Sequence, residues 1–329
     1  MVTGLLEERF KEASVLPLWL HVGPASANEP RPTEKPCMWS WPELKSLGNT
    51  IGDEISGVDA ERRVLVLANP GFNGRLATTG TLNAALQVLN EGEISAPHRH
   101  SMAALRLITD EDGGVTTVDD ENCPMTAGDL ILTPAWCWHG HFNNDGRRSM
   151  WIDVLDVPLV ASWNAVFIEH PSQRNPVPGA GFNTRKLRYS WADTQRQLDA
   201  TPANEDGSRE TRYINPVDGG PVMPTIDVYA NRLAAGRPTE GVRSTASTLV
   251  YVLSGSGTST VGDTEFSWSK NDVFTVPHWT WVSHVARDND AYLIKVSNGG
   301  MLETLGLLRS EHSGSAKDGQ ITTMKSERH

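Results

Sequence analysis

GDLILTPAWCWHGH (128–141) and NDVFTVPHWTWVSH (271–284) align without a gap, Gly128 on Asn271 and His141 on His284. Each segment opens on a turn residue. A short apolar run follows, then a proline, then two tryptophans and a histidine. Runs of this kind, bounded by Gly, Asp, Asn and Pro, read as β-strands. Working outward, each copy sits among similar runs: VLVLANP, TLNAALQVL, LRLIT, GVTTV and MWIDVLDV in the first half, and DVYANRL, TLVYVLSGSGTSTV, TEFSW and AYLIKVSN in the second. Gly92 pairs with Gly236 and Gly113 with Gly257 once a one-residue gap is allowed between the blocks. A repeat of this length predicts two similar all-β barrels or sandwiches. The first falls over 61–160 and the second over 226–309.

The remaining segments read differently. Residues 1–60 form an N-terminal arm with helical patterns over Leu5–Ala13 and from Pro42 to about Ile55, joined by a Pro-rich passage. Residues 161–225 connect the barrels and carry the helix-like WADTQRQLDA. The polar tail, 310–329, has too few apolar residues to pack, so poor order is expected there.

Bulk properties exclude several function classes. The chain has 329 residues and a formal net charge of -11. No basic stripe suggests a nucleic-acid partner. No apolar run approaches the roughly 20 residues of a membrane span, and the N-terminus is not a signal peptide. Cys37, Cys123 and Cys137 have no C-x-x-C spacing and are odd in number, as in a reduced cytoplasmic protein.

Chemistry concentrates in APHRHSMAALR (96–106) and WHGHFN (138–143). On a strand, His98 and His100 share a face, and the same parity carries Met102, Ala104 and Arg106. His139 from a neighbouring strand completes a three-imidazole set suited to a divalent first-row metal with open positions. Burying Arg106 beside three histidines is costly without an anion, and its fork fits a carboxylate. His141 shares the face of His139, and Asp153 is placed to orient it. His170 and His278 read as ordinary polar residues. In the second repeat, Val242, Ser244 and Val282 stand at the three ligand places; only His284, opposite His141, survives. That barrel is expected to be metal-free.

Gly92, His98 and His100, then Gly128, Pro134, His139 and Asn143, are the two cupin motifs. The usual glutamate ligand is missing; Ala104 and Leu105 stand in its place. The chain is similar to the bicupin gentisate 1,2-dioxygenases and their salicylate, 5-nitrosalicylate and 1-hydroxy-2-naphthoate relatives. The likeness runs through AERRVLVLANPG (60–71), TLNAALQ (81–87), APHRHSMAALR, GDLILTPAWCWHGHFN and WIDVLD (151–156), and resumes at RSTASTLVYVLSGSG (243–257). It implies an all-β bicupin of two double-stranded β-helix (jelly-roll) barrels with an N-terminal helical arm. It implies Fe(II) held by His98, His100 and His139, and an aromatic acid chelating that iron through its carboxylate and adjacent hydroxyl. O2 then opens the ring between the carbons bearing those groups, and both oxygen atoms enter the product. Arg106 is expected on the substrate carboxylate, with Arg62 or Arg63 as a second anion contact. Gln87, Asn83, Ala85 and Trp138 are expected around the ring. A homotetramer is usual in the family.

Where gentisate enzymes read TLYAGLQ and WHDHGN, this chain has TLNAALQ and WHGHFN. Loss of the acid at Gly140 and gain of the donor Asn83 favour a hydrogen-bond acceptor at the ring 5-position, so the expected substrate is a 5-substituted salicylate, with 5-nitrosalicylate ranked beside gentisate. The competing class is a non-enzymatic or isomerase-type bicupin binding a small acid. One complete ligand set favours an enzyme.

Overall fold

The computed structural model describes residues 4–20, 27–57, 62–171 and 186–314. Its strands form two six-stranded and two five-stranded sheets that correspond strand for strand. The first barrel's larger sheet runs Arg188–Tyr189, Leu130–Thr133, Ala104–Ile108, Ser149–Leu155, Asn83–Leu89, Arg63–Val66. The second barrel's runs Cys37–Trp39, Val273–Val276, Thr248–Ser254, Ala291–Ser297, Asp227–Leu233, Arg209–Arg212. The smaller sheets are likewise Ile168–Glu169, Ile94–His100, His139–Phe142, Val115–Val118, Glu121–Pro124, and Ser310–His312, Val242–Ser244, Val282–Ala286, Ser256–Val261, Thr264–Ser269.

The two barrels exchange their first strands. Cys37–Trp39 pairs with Val273–Val276 of the second barrel, and Arg188–Tyr189 with Leu130–Thr133 of the first. A helix follows each exchanged strand, Trp41–Glu54 and Trp191–Ala200. Its first N–H is taken by an aspartate of the opposite barrel: Trp41 donates to Asp272 Oδ1 at 2.7 Å and Trp191 to Asp129 Oδ1 at 2.9 Å. Both acceptors are buried and negative, the charge a helix N-terminus favours. Each helix then packs on its own barrel, the first against Asn83–Leu89 and the second against Asp227–Leu233. The repeat therefore begins at Cys37 and Arg188, inside what the sequence presents as an arm and a connection. Ser310–His312 is likewise a strand, paired with Val242–Ser244, so order extends past the expected start of the tail. Residues from 315 onward lie outside the described residues. No helix among those described is long and apolar enough to cross a membrane.

The exchange buries the outer faces of both large sheets. Ala84, Leu86, Val88, Leu105, Leu107, Leu130, Leu132, Ile152 and Val154 meet Val228, Ala230, Leu249, Tyr251, Ile294 and Val296 in one core between the barrels. Each fully buried Leu or Ile contributes roughly 1.5–3 kcal/mol by leaving water. The alternate residues face into the barrels. In the second barrel they are apolar at one end, with Leu233, Val250, Val252, Phe274 and Leu293, while Glu210, Asn231, Thr248, His284 and Lys295 line a cavity at the other. In the first they are apolar only at one end, where Leu89, Ile108, Cys123, Met125, Ile131 and Trp151 pack together. The other end holds the polar residues described below.

Asp156 ties the two halves together. Its carboxylate accepts from Ala103 N at 2.9 Å and from the Thr225 hydroxyl at 2.5 Å. Burial pushes the carboxyl from its ordinary 3.8 up to about 6, against the opposing pull of these donors. A raised folded-state value means that folding favours the protonated form. The resulting stabilisation is full below about pH 4 and lost as the pH rises through about 6. Asp156→Asn keeps an acceptor for Ala103 and removes the charge. The difference in urea midpoint, variant minus wild type, is expected to rise between pH 4 and pH 7; a pH-independent difference would contradict this account.

Candidate metal centre and its pocket

The cupin motif residues build the site through backbone geometry. The strand Ile94–His100 carries two imidazoles on one face, as parity requires. Its register with His139–Phe142 shifts between Ser95 and His98, where Pro97 cannot donate, and His98 then pairs directly with His139. The turn after Pro134 is pinned to the first ligand strand by Trp136 N, which donates to His100 O at 2.7 Å. Trp136 and its counterpart Trp279 both take positive φ, 67° and 55°, so the two turns are alike. Asn143 closes the return, donating to Leu89 O and Arg147 O.

His98, His100 and His139 are all buried, and their ligand atoms lie within 4.8 Å of one another. Each Nδ1 faces a main-chain carbonyl: Ala96 O at 3.1 Å, Met102 O at 2.9 Å and Cys137 O at 3.0 Å. A carbonyl only accepts, so each Nδ1 carries the proton and each Nε2 offers a lone pair. Burial holds His98 down to about 3, His100 to about 4 and His139 well below its ordinary value, so the rings are neutral. Three neutral Nε2 donors with fixed tautomers fit a divalent transition metal. At the position of the usual glutamate, Ala104 lines the pocket while Leu105 turns into the inter-barrel core. Among the described residues no second group of this kind occurs.

A cavity of about 330 Å3 opens beside the histidines. Arg62, Asn83, Ala85, Gln87, Arg106, His141 and Asp153 line it with His100 and His139. Arg106 is 3 % exposed. It donates to Thr133 Oγ1, approaches His141 Nε2 at 3.2 Å, and faces Asp153 Oδ1 across 3.3 Å. Burial lowers Arg106 and raises Asp153, although each opposes the other's shift. The pair makes no hydrogen bond. Arg106 Nε, Asp153 Oδ1 and Asn83 Oδ1 are all buried atoms without a hydrogen-bond partner. Such atoms on one pocket wall mark where a polar ligand gains most.

Several expected residues are placed elsewhere. Arg63 points away from the cavity, bonding Ile55 O and gripping Glu93 with both Nη atoms at 2.6 and 2.8 Å. Successive strand residues face opposite sides, so only Arg62 turns inward. Trp138 lies outside, its ring 5.0 Å from the Arg99 guanidinium. Met102 is buried off the cavity, because the ligand strand ends at His100 and a different sheet resumes at Ala104. Asp153 does not orient His141; Arg106 stands between them, and His141 Nδ1 meets Thr116 Oγ1 at 3.0 Å. Gly140 also faces outward, where an added Cβ would lie 2.9 Å from Ser95 O. His170 lies closer to the centre than a surface role requires, its ring 6.5 Å from that of His98. Thr116, Thr133, Val64 and Leu155 complete the surroundings; only their inward parity could have revealed them.

A double barrel with three histidines and no acid ligand in one half defines a cupin metalloenzyme rather than a storage protein. A cupin-domain family matches residues 85–155. The chain is 32% identical to the 5-aminosalicylate 1,2-dioxygenase of Comamonas sp, over 97% of this chain and 92% of that protein. It is 32% identical to gentisate 1,2 dioxygenase 1 of Aquipseudomonas alcaligenes, over 93% and 95%. The crystal structure of salicylate 1,2-dioxygenase from Pseudaminobacter salicylatoxidans superimposes with a TM-score of 0.87 at 31% identity, covering 94% of this chain and 97% of that one. The chain belongs to the bicupin family of ring-cleaving gentisate- and salicylate-type dioxygenases.

The ion pair should dominate the site's contribution to stability. Arg106→Gln leaves Asp153 buried without its partner and is expected to cost about 3–5 kcal/mol. Adding Asp153→Asn should recover much of that loss, read from urea denaturation of the single and double variants. Additive losses would show that the two residues do not interact.

Proposed function

We propose that this dioxygenase uses Fe(II), held by Nε2 of His98, His100 and His139, to open a salicylate-type aromatic acid between its carboxyl- and hydroxyl-bearing carbons. The observation that carries this reading is the convergence of three neutral imidazole lone pairs and a buried guanidinium on one cavity. Iron supplies the redox chemistry that lets a ring react with dioxygen, and both oxygen atoms enter the ring-opened product. The chain supplies the rest. Arg106 takes the carboxylate, whose oxygens satisfy its unpartnered Nε and offset its burial. His141 borders the same cavity and contacts the substrate's polar edge. In this structure Arg62 Nη1 lies 2.6 Å from His98 Nε2. A single lone pair cannot serve both an arginine and a metal, so iron frees Arg62 to become a second anion contact. Gln87 adds a hydrogen bond at the wall.

Asn83 and Ala85 border the ring, and the 5-substituent meets the Asn83 amide. That amide offers its oxygen to a hydroxyl or amino group and its NH2 to a nitro group. Gentisate and other polar 5-substituted salicylates, 5-nitrosalicylate among them, are therefore preferred over salicylate itself. The acid absent at Gly140 has no part in this choice, since residue 140 faces away from the pocket. The protein acts in the cytoplasm as a homotetramer, with the metal-free second barrel and the N-terminal arm as assembly surfaces.

Anaerobically purified protein loaded with Fe(II) should consume O2 with gentisate, 5-nitrosalicylate or both, and yield a product heavier by two oxygen atoms. His100→Ala should abolish iron retention and uptake together. Asn83→Leu should compress the ratio of kcat/KM for 5-substituted acids over salicylate toward unity. Iron binding without uptake on any salicylate-type acid would overturn the substrate assignment and favour a small-acid-binding bicupin.

A further inference from the structure

Thr116 sits in the strand Val115–Val118, fully buried, directly opposite His141 in the neighbouring strand. Its Oγ1 is 3.0 Å from His141 Nδ1 and donates to Met125 Sδ at 3.3 Å. The other ring nitrogen, Nε2, is 3.2 Å from Arg106 Nη2. A guanidinium has no acceptor, so Nε2 must accept. A neutral ring then carries its proton on Nδ1, which donates to Thr116. Met125, Thr116, His141 and Arg106 thus form a chain of hydrogen bonds with one direction.

The second barrel holds the same hydroxyl–imidazole pair, with a different group behind the hydroxyl. Ser259, the counterpart of Thr116, places Oγ 2.6 Å from His284 Nδ1. Trp268, the counterpart of Met125, donates its indole N–H to Ser259 Oγ at 2.8 Å. Ser259 Oγ therefore accepts from an indole where Thr116 Oγ1 donates to a thioether. Val250 occupies the position of Arg106.

We propose that Thr116 is a positioning residue: by accepting from His141 Nδ1 it fixes the tautomer whose Nε2 holds Arg106 Nη2, and so sets the guanidinium for the substrate carboxylate. This rests on Arg106 as the carboxylate contact. With the other tautomer, two N–H groups would face each other, and Arg106 would be free to turn away from the cavity.

Long-range 1H–15N correlation spectra of metal-free, 15N-histidine-labelled protein read the tautomers directly, with His141→Asn and His284→Asn for assignment. His141 should be protonated on Nδ1. Thr116→Val removes the acceptor at similar volume. It should raise the Kd for gentisate, measured anaerobically on iron-loaded protein, by about 10-fold, the worth of one hydrogen bond. It should raise KM far more than it lowers kcat and should shift the His141 tautomer. Thr116→Ser should restore all three. A wild-type His141 protonated on Nε2 would overturn the proposal. So would wild-type affinity in Thr116→Val when Arg106→Gln binds weakly. Wild-type affinity in Arg106→Gln would instead remove the carboxylate role of Arg106, and the Thr116 proposal with it.

Discussion

The two-residue period of the strands in the larger sheets constrains everything else in this protein. Each of those sheets is buried on both faces. One set of side chains, Ala84, Leu86, Val88, Leu105, Leu107, Ile152 and Val154, fills the core between the barrels. The alternate set, Asn83, Ala85, Gln87, Ala104, Arg106 and Asp153, lines the cavity. A slip of one residue would drive Arg106 into the core and expose leucines to the metal. Stability and chemistry are therefore set by the same register, and the exchanged strands and capped helices lock it from outside.

The barrels share this framework and spend their interiors differently. In the second, valines replace two ligands and the arginine, and Asn231, Thr248, His284 and Lys295 line the open end. In the first, the interior tolerates three imidazoles and an ion pair because each imidazole and each charge has a defined complement. The carbonyls of Ala96, Met102 and Cys137 fix the rings. Asp153 offsets the charge of Arg106. The atoms left unpartnered lie where the acid substrate would supply partners.

The metal ligands were legible in the sequence because motif spacing reports backbone geometry: a strand face, a proline turn, a return strand. Arg106 was legible for a different reason than parity along one strand. The ligand strand ends at His100, and Arg106 belongs to another sheet that turns the same face inward. Arg62 and Arg63 could not be separated, because the alternation that decides between them needs a register that only the partner strand supplies. The strand exchange was hidden as well. Its signal, Trp39-Ser40-Trp41 against Tyr189-Ser190-Trp191, is short, and pairing with the opposite barrel is a tertiary choice. Gly140 misled because proximity in sequence to His139 is not proximity in space; neighbours on a strand face opposite sides.

The central claim is that one barrel brings a metal on three histidines and a carboxylate on Arg106 into the same cavity. An anaerobic crystal structure of the iron-loaded protein with gentisate tests it most directly. The account predicts iron on Nε2 of His98, His100 and His139, no protein carboxylate in its coordination sphere, and the substrate carboxylate against Arg106. Iron held elsewhere, or a carboxylate turned away from Arg106, would contradict it.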